Sequence, residues 1–472
     1  MTTVADFGAV GDGVTDDTEA IQHAIDESIG EVLFGRGVFR ITRSILIDLE
    51  RIGLTSIRGR SGTATIVSEA RGPAFILKGT HSGSADPASF KTEIWERERM
   101  PCLADLEITG KTPESDGILV TGAVMPTITG VLLRKLRHGI QITGRARNVL
   151  IDHCHIYHNL GIGVFLDRVN LHQTIISNSH ISYCRLGGIR IEGSEIRNLQ
   201  ITGNDIEYNN NRAHAVPEAD AEPTAEIYLD ARVGSIREGT ICSNTIQATY
   251  SPGGANIRMI DQGSGKHPQV GMWTISGNLI GSQWNNIHLT AAQGVTITGN
   301  YIYSGHHRNL LCEDSFQIVV GDNCFGHNAD YGVERELCTG VTFERCQDTI
   351  FNGNILQDCQ TGRHLFPDAP ELQREALLEL KNCHNFIVSN CQILDSAPYG
   401  IRLANCHDMT LTGITVTDRR TPPLMKSAVF WTGTNKDSMI TGSRLGPCLE
   451  DVIQSEQPPE VTSCILKATA AQ

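Results

Sequence analysis

The sequence predicts an all-β coil of stacked parallel strands, and three observations carry that prediction. Short apolar–x–apolar–polar segments recur, several of the intervals between them fall near 23 to 25 residues, and no helix-length periodic segment separates them. The segments are GIQITG (139–144), GVFLDR (163–168), GIRIEG (188–193), EIYLDA (226–231), NIRMID (256–261), NIHLTA (286–291) and NLLCED (309–314). A second series carries turn asparagines in TGNDI, CSNTI, SGNLI, TGNYI, GDNCF and NGNIL. Cys383 and Cys406 repeat the same interval late in the chain. No two-residue hairpin signal joins neighbouring strands, so each strand is expected to pair in parallel with its equivalent one coil away. A β-sandwich also has many short strands, but it would not hold one register for so long.

Composition agrees. The 472 residues are 40% hydrophobic with 47 glycines and only 6% aromatics, which suits short strands and tight turns. A formal net charge of -14 excludes nucleic acid as the main partner, because phosphate binding needs a basic surface. No apolar run reaches the roughly eighteen residues of a membrane span, so no membrane partner is expected. The start MTTVADFGAV has neither the basic nor the apolar region of a secretory signal. The 14 cysteines alternate with apolar residues without any CxxC spacing, which predicts buried reduced thiols and a reducing, cytoplasmic compartment.

The stretch ADFGAVGDGVTDDTEAIQHAID (5–26), followed by EVLFGRGVFRIT (31–42), closely resembles the N-terminal segment of the pectate-lyase superfamily. That segment also occurs in glycoside hydrolases, uronate epimerases and phage tail depolymerases. The resemblance implies a right-handed parallel β-helix whose open end is plugged by a helix, and a carbohydrate as substrate. Cap and first coil would occupy 1–50 and the remaining coils 51–470, as one domain. The residues fit the plug: Asp16, Asp17 and Thr18 can cap a helix whose apolar face carries Ala20, Ile21, Ala24 and Ile25. Asp12, Asp16 and Asp17 are therefore read as structural. The polygalacturonase-type set of NTD, paired aspartates, GHG and RIK is missing, as is the DPH of mannuronan epimerases. NVLIDHCHIYHN (148–159) resembles a WIDHC-type strand of one pectate lyase family, without the arginine motif expected downstream.

Stacking the coils gives the candidate site. One outward file reads Gln141, Phe165, Arg190, Tyr228, Arg258, His288 and Leu311. The next reads Thr143, Asp167, Glu192, Asp230, Ile260, Thr290 and Glu313. Asp167, Glu192 and Asp230 are thus three consecutive carboxylates, with Asp261 one residue past the file. Like charges one strand apart oppose folding, and their crowding is expected to leave a proton donor beside an ionised partner. Glycosidic cleavage needs that pairing, with carboxyls about 5 Å apart for retention or up to about 9 Å for inversion. Arg190 and Arg258 can hold a hydroxyl-rich or charged ligand, and Phe165 and Tyr228 can stack on sugar faces. His288 can bind or transfer protons, and Glu313 extends the polar face. Trp284 can reach it from a loop, and insertions at 209–225, 247–254 and 303–309 border it.

Hydrolysis of a glycosidic bond, without cofactor or metal, is the first expectation. Elimination from a uronic-acid polymer is the alternative, with an Arg, Lys or Tyr base and Ca²⁺ admitted as cofactor in that case only. A non-catalytic carbohydrate-binding or structural helix is the third, and a monomer or a homotrimer is expected. A solvated face in which Arg190 merely neutralises Glu192 is the plainest reading of the file. The histidines of DHCHIYH (152–158) are split by alternation and read as surface residues rather than metal ligands, and His306 and His307 are expected to point apart. FPDAPELQREALLEL (366–380) reads as a short surface helix starting near Pro370.

Overall fold

Alternation along each short strand sends one set of side chains inward, and parallel pairing stacks that set coil upon coil. Ile142, Leu166, Ile191 and Leu229 are register partners in turn and are fully buried. Burying an aliphatic side chain of this kind contributes about 1.5–3 kcal/mol, so the column is a main source of cohesion. The computed structural model describes residues 2–60, 62–83, 86–210, 224–263, 267–331, 337–359 and 373–468. It divides into two compact units, Met1–Thr245 and Ile246–Gln472. Each unit is a stack of parallel strands, as the repeat requires, and the sandwich alternative falls.

The recurring Gly-Asn and Asp-Asn dipeptides mark one corner of the coil. Gly203 (φ 68°), Gly277 (φ 64°), Gly299 (φ 65°), Asp322 (φ 54°) and Gly353 (φ 67°) take the left-handed conformation that turns the chain. The asparagine that follows each points inward and is buried. In the second unit these amides form a ladder, Asn278 to Asn300 (2.9 Å), Asn300 to Asn323 (2.9 Å) and Asn323 to Asn354 (3.0 Å). In the first unit Asn204 donates to Asn244 at 3.1 Å.

A helix over Thr18–Asp26 closes the start of the first unit, burying Ile21, Ala24 and Ile25 completely and Ala20 in part. Gln22 shows how the plug works. Its amide accepts from the Leu46 N–H at 2.8 Å and donates to the Leu46 carbonyl at 2.9 Å, occupying backbone groups of strand Ile45–Asp48. The aspartates are structural, with divided labour. Asp16 accepts from the Thr18 N–H, Asp17 from the Val10 and Gly11 N–H groups, and Asp12 from the Val14 and Thr15 N–H groups.

The helix expected over 366–380 is corrected. Residues 366–372 lie outside the described residues, and Ala376–Lys381 is a strand whose Leu378 pairs with Val341 and Ile401. ALLELK satisfies a period of two as well as a helical one. Stacking neighbours that bury Leu378 and Leu380 decide for the strand. The cysteines are all unpaired thiols, and most are buried. Burial pushes the Cys154 thiol up to about 11.

Candidate functional site

The first unit brings the expected acids into one file. Phe165, Arg190 and Tyr228 are register partners along one outward row, and Asp167, Glu192 and Asp230 along the next. Register partners in neighbouring parallel strands stand about 4.8 Å apart. The expectation of bare, crowded carboxylates on an open face is corrected. Asp167 accepts from Gln141 Nε2 and Arg168 Nη2, both at 2.9 Å on Oδ2. Glu192 pairs with Arg190 Nη2 at 3.0 Å. Asp230 is gripped by Arg232 through Nε (2.9 Å), Nη2 (2.5 Å) and the backbone N–H (3.1 Å).

Each acid recruits a guanidinium no more than two residues away in sequence, which relieves the like-charge repulsion and also covers the acid. Arg168 stands in the left-handed conformation (φ 46°) directly after Asp167, with its guanidinium on that carboxylate. Only Glu192 keeps substantial solvent access, with 45% of its side chain exposed against 8% for Asp167 and 4% for Asp230. Tyr228 is likewise buried rather than a free stacking platform, with the Arg190 guanidinium 5.3 Å from its ring centroid.

The remaining expected residues belong to the second unit. Arg258 and His288 are register partners there, as are Thr290 and Glu313. His288 Nε2 meets Glu313 Oε2 at 2.9 Å, and that bond holds the Glu313 carboxyl below its usual range. Arg258 is buried and donates to the Gly253 carbonyl. Asp261 is spent on its own loop, accepting from the Gln262 and Gln269 N–H groups at 2.6 and 2.9 Å. Trp284 stacks on His307 (5.1 Å, 12°), and Tyr250 lies 5.7 Å from Trp284 and 4.5 Å from His306. The adjacent histidines thus serve different partners. Burial and the Arg308 charge lower the His307 pKa to about 4.

The other histidine cluster is dispersed. His153 bonds to Asp152, His155 stacks on His180 at 5.3 Å, and His158 on Tyr183 at 4.9 Å. Among the described residues no group of three or more His, Cys, Asp or Glu side chains is arranged to hold a metal ion.

A family model described as a right-handed β-helix region matches residues 97–226. The fold is a right-handed parallel β-helix. Among solved structures, the pre-mature gene product 12 of bacteriophage phi29 is similar at 14% identity and TM-score 0.55, over 92% of this chain and 56% of that one. The A-module of a mannuronan C-5 epimerase from Azotobacter vinelandii is similar at 15% identity and TM-score 0.40, over 100% of both chains. The Dettilon tailspike protein is similar at 14% identity and TM-score 0.47, over 98% of this chain and 68% of that one. These identities speak to the fold. Among curated proteins none matches this sequence.

Within this β-helix the sequence-based reading missed a corner cluster beside the acid file. Asp116 is buried and held by Arg137 through Nε (2.8 Å) and Nη2 (2.5 Å), and it also accepts from the His138 N–H at 3.1 Å. The His138 ring lies 5.3 Å from Phe165. Asp116 opens the strand Ser115–Thr121, but Arg137 and His138 lie in the turn before the strand that starts at Ile140, where alternation gives no direction. The pairing of an acid with the arginine-histidine step one coil later was the available signal.

Proposed function

We propose that the first unit processes a carbohydrate at the file Asp167, Glu192 and Asp230, and that the reaction is hydrolysis of a glycosidic bond. The observation that carries this reading is the register itself, which puts three acidic residues in one file on adjacent strands whose backbones stand about 4.8 Å apart. Neighbouring side chains of such a file are within reach of the roughly 5 Å carboxyl separation that retaining glycosidases use. Their environments differ in the way two-carboxyl chemistry requires. Glu192 has a single cation contact and open access, which suits the group that gives and retakes the proton. Asp230 and Asp167, each bonded to an arginine and buried, suit the ionised partner that attacks or stabilises the sugar cation.

A second reading, elimination from a uronic-acid polymer, draws on Tyr228. Arg190 lies over its ring, and Arg232 Nη2 is 3.5 Å from its hydroxyl, so two guanidiniums flank the group that would take the proton in this reading. Ca²⁺ would fit poorly beside it, because each acid of the file already answers an arginine. Long incubation with polysaccharide panels tests both readings. New reducing ends lost at least about 100-fold in Glu192→Gln support hydrolysis, since a general acid or base contributes roughly that much. An unsaturated, ultraviolet-absorbing product lost in Tyr228→Phe selects elimination instead. Binding without any product leaves neither standing.

A further inference from the structure

His138 carries an imidazole that the acid file does not use, and its two ring nitrogens have different fates. Nδ1 accepts the Ile162 N–H at 3.2 Å. The ring lies so close to the next corner that a Cβ on Gly161 would stand 2.8 Å from Nδ1 and 2.9 Å from Cε1. The His138 backbone N–H donates to Asp116 Oδ1 at 3.1 Å, and Arg137 holds the same carboxylate from the other side. An imidazole that accepts at Nδ1 carries its proton on Nε2 when neutral. Nε2 meets no hydrogen-bond partner among the described residues and is not one of the buried unpaired atoms. Phe165 packs beside the ring, and Asp167 and Arg190 are close enough for their charges to act on it.

We infer that His138 is a ligand-binding residue of the first unit, donating its Nε2–H to an uncharged oxygen, a hydroxyl or ring oxygen, of a sugar bound over Phe165. This rests on the carbohydrate reading of the acid file and adds to it a neutral donor opposite the charged groups. Burial and the neighbouring Arg137 and Arg190 charges act against a second proton on the ring, while Asp116 and Asp167 act for it; burial is the largest influence, and the pKa is lowered. Protonation at Nδ1 would also force apart the bond from Ile162. A neutral donor binds an acceptor without demanding that the ligand be anionic.

The test begins with the protein alone. Nitrogen-15 NMR of the imidazoles should show His138 as the Nε2–H tautomer at neutral pH, and an Nδ1–H tautomer overturns the inference whatever the protein binds. The full chain is then applied to a printed array of neutral and uronic-acid oligosaccharides, and the strongest binder is titrated. His138→Ala should weaken it about tenfold, the worth of one good hydrogen bond, and His138→Gln should recover it to within about threefold by restoring a donor. Binding unchanged in His138→Ala but lost in Glu192→Gln overturns the role of His138 and leaves the site reading intact. No binding anywhere on the array overturns both.

Discussion

In the second unit Asn278, Asn300, Asn323 and Asn354 stack inside the coil and bond to one another. In the first unit Asp167, Glu192 and Asp230 stack outside it, and each bonds to an arginine. Both are vertical files of one polar group repeated at the coil spacing. An amide is donor and acceptor at once, so a column of amides satisfies itself. A carboxylate only accepts, so a column of carboxylates must import donors. Side-chain chemistry, rather than backbone register, decides which file can sit in the dry interior.

The comparison breaks most severely at Asn323. This buried amide donates to the Ile297 carbonyl and Asn354, and accepts from the Asn300 N–H and amide. Asn323→Asp removes its donors and buries an uncompensated acid, which should cost about 3–5 kcal/mol. Urea denaturation measures it, and a loss under about 1 kcal/mol would show that the ladder does not need its donors. Arg232→Ala comes next, leaving Asp230 buried with only a backbone donor, at an expected cost of about 1–3 kcal/mol. Adding Asp230→Asn to it should recover part of that loss, and no recovery would mean that the acid is not what the arginine serves.

Glu226 sharpens the contrast, because it occupies the strand position that the second unit fills with Asn256, Asn286 and Asn309. It is fully buried, and burial raises its pKa well above the ordinary carboxyl value despite the bonds it accepts from Asn209. A carboxyl whose folded pKa is raised contributes stability that is present at low pH and lost as pH rises through the folded value. Glu226→Gln should therefore stabilise the protein increasingly toward alkaline pH. Parallel melting curves for the two proteins across pH would contradict this. The smallest effect is expected at Glu192→Gln, whose half-exposed pair with Arg190 should change stability by no more than about 0.5 kcal/mol. A large drop in melting temperature there would make Glu192 a structural residue, whatever happened to turnover.

How much of this could be read beforehand depends on the kind of position. Asp167, Glu192 and Asp230 were legible as a file because each lies at the same offset from an inward aliphatic residue. Their arginines were half legible: Arg190 shares the strand, but Arg168 and Arg232 lie beyond the strand repeat, where alternation no longer gives direction. His138 and Asp116 were not legible, since their meeting depends on a turn residue reaching back to a strand residue of the preceding coil. The strand Ala376–Lys381 was misread because six residues of ALLELK satisfy two periods at once.

The sequence by itself determined the coil, its register, the turn asparagines and the plug, because each follows from local spacing and the geometry of a single strand or helix. Only the tertiary structure decided which acids are covered, which cation each holds and which imidazole nitrogen is left open. Those outcomes depend on contacts between residues a full coil apart, and on side-chain directions at corners, which no short-range period encodes.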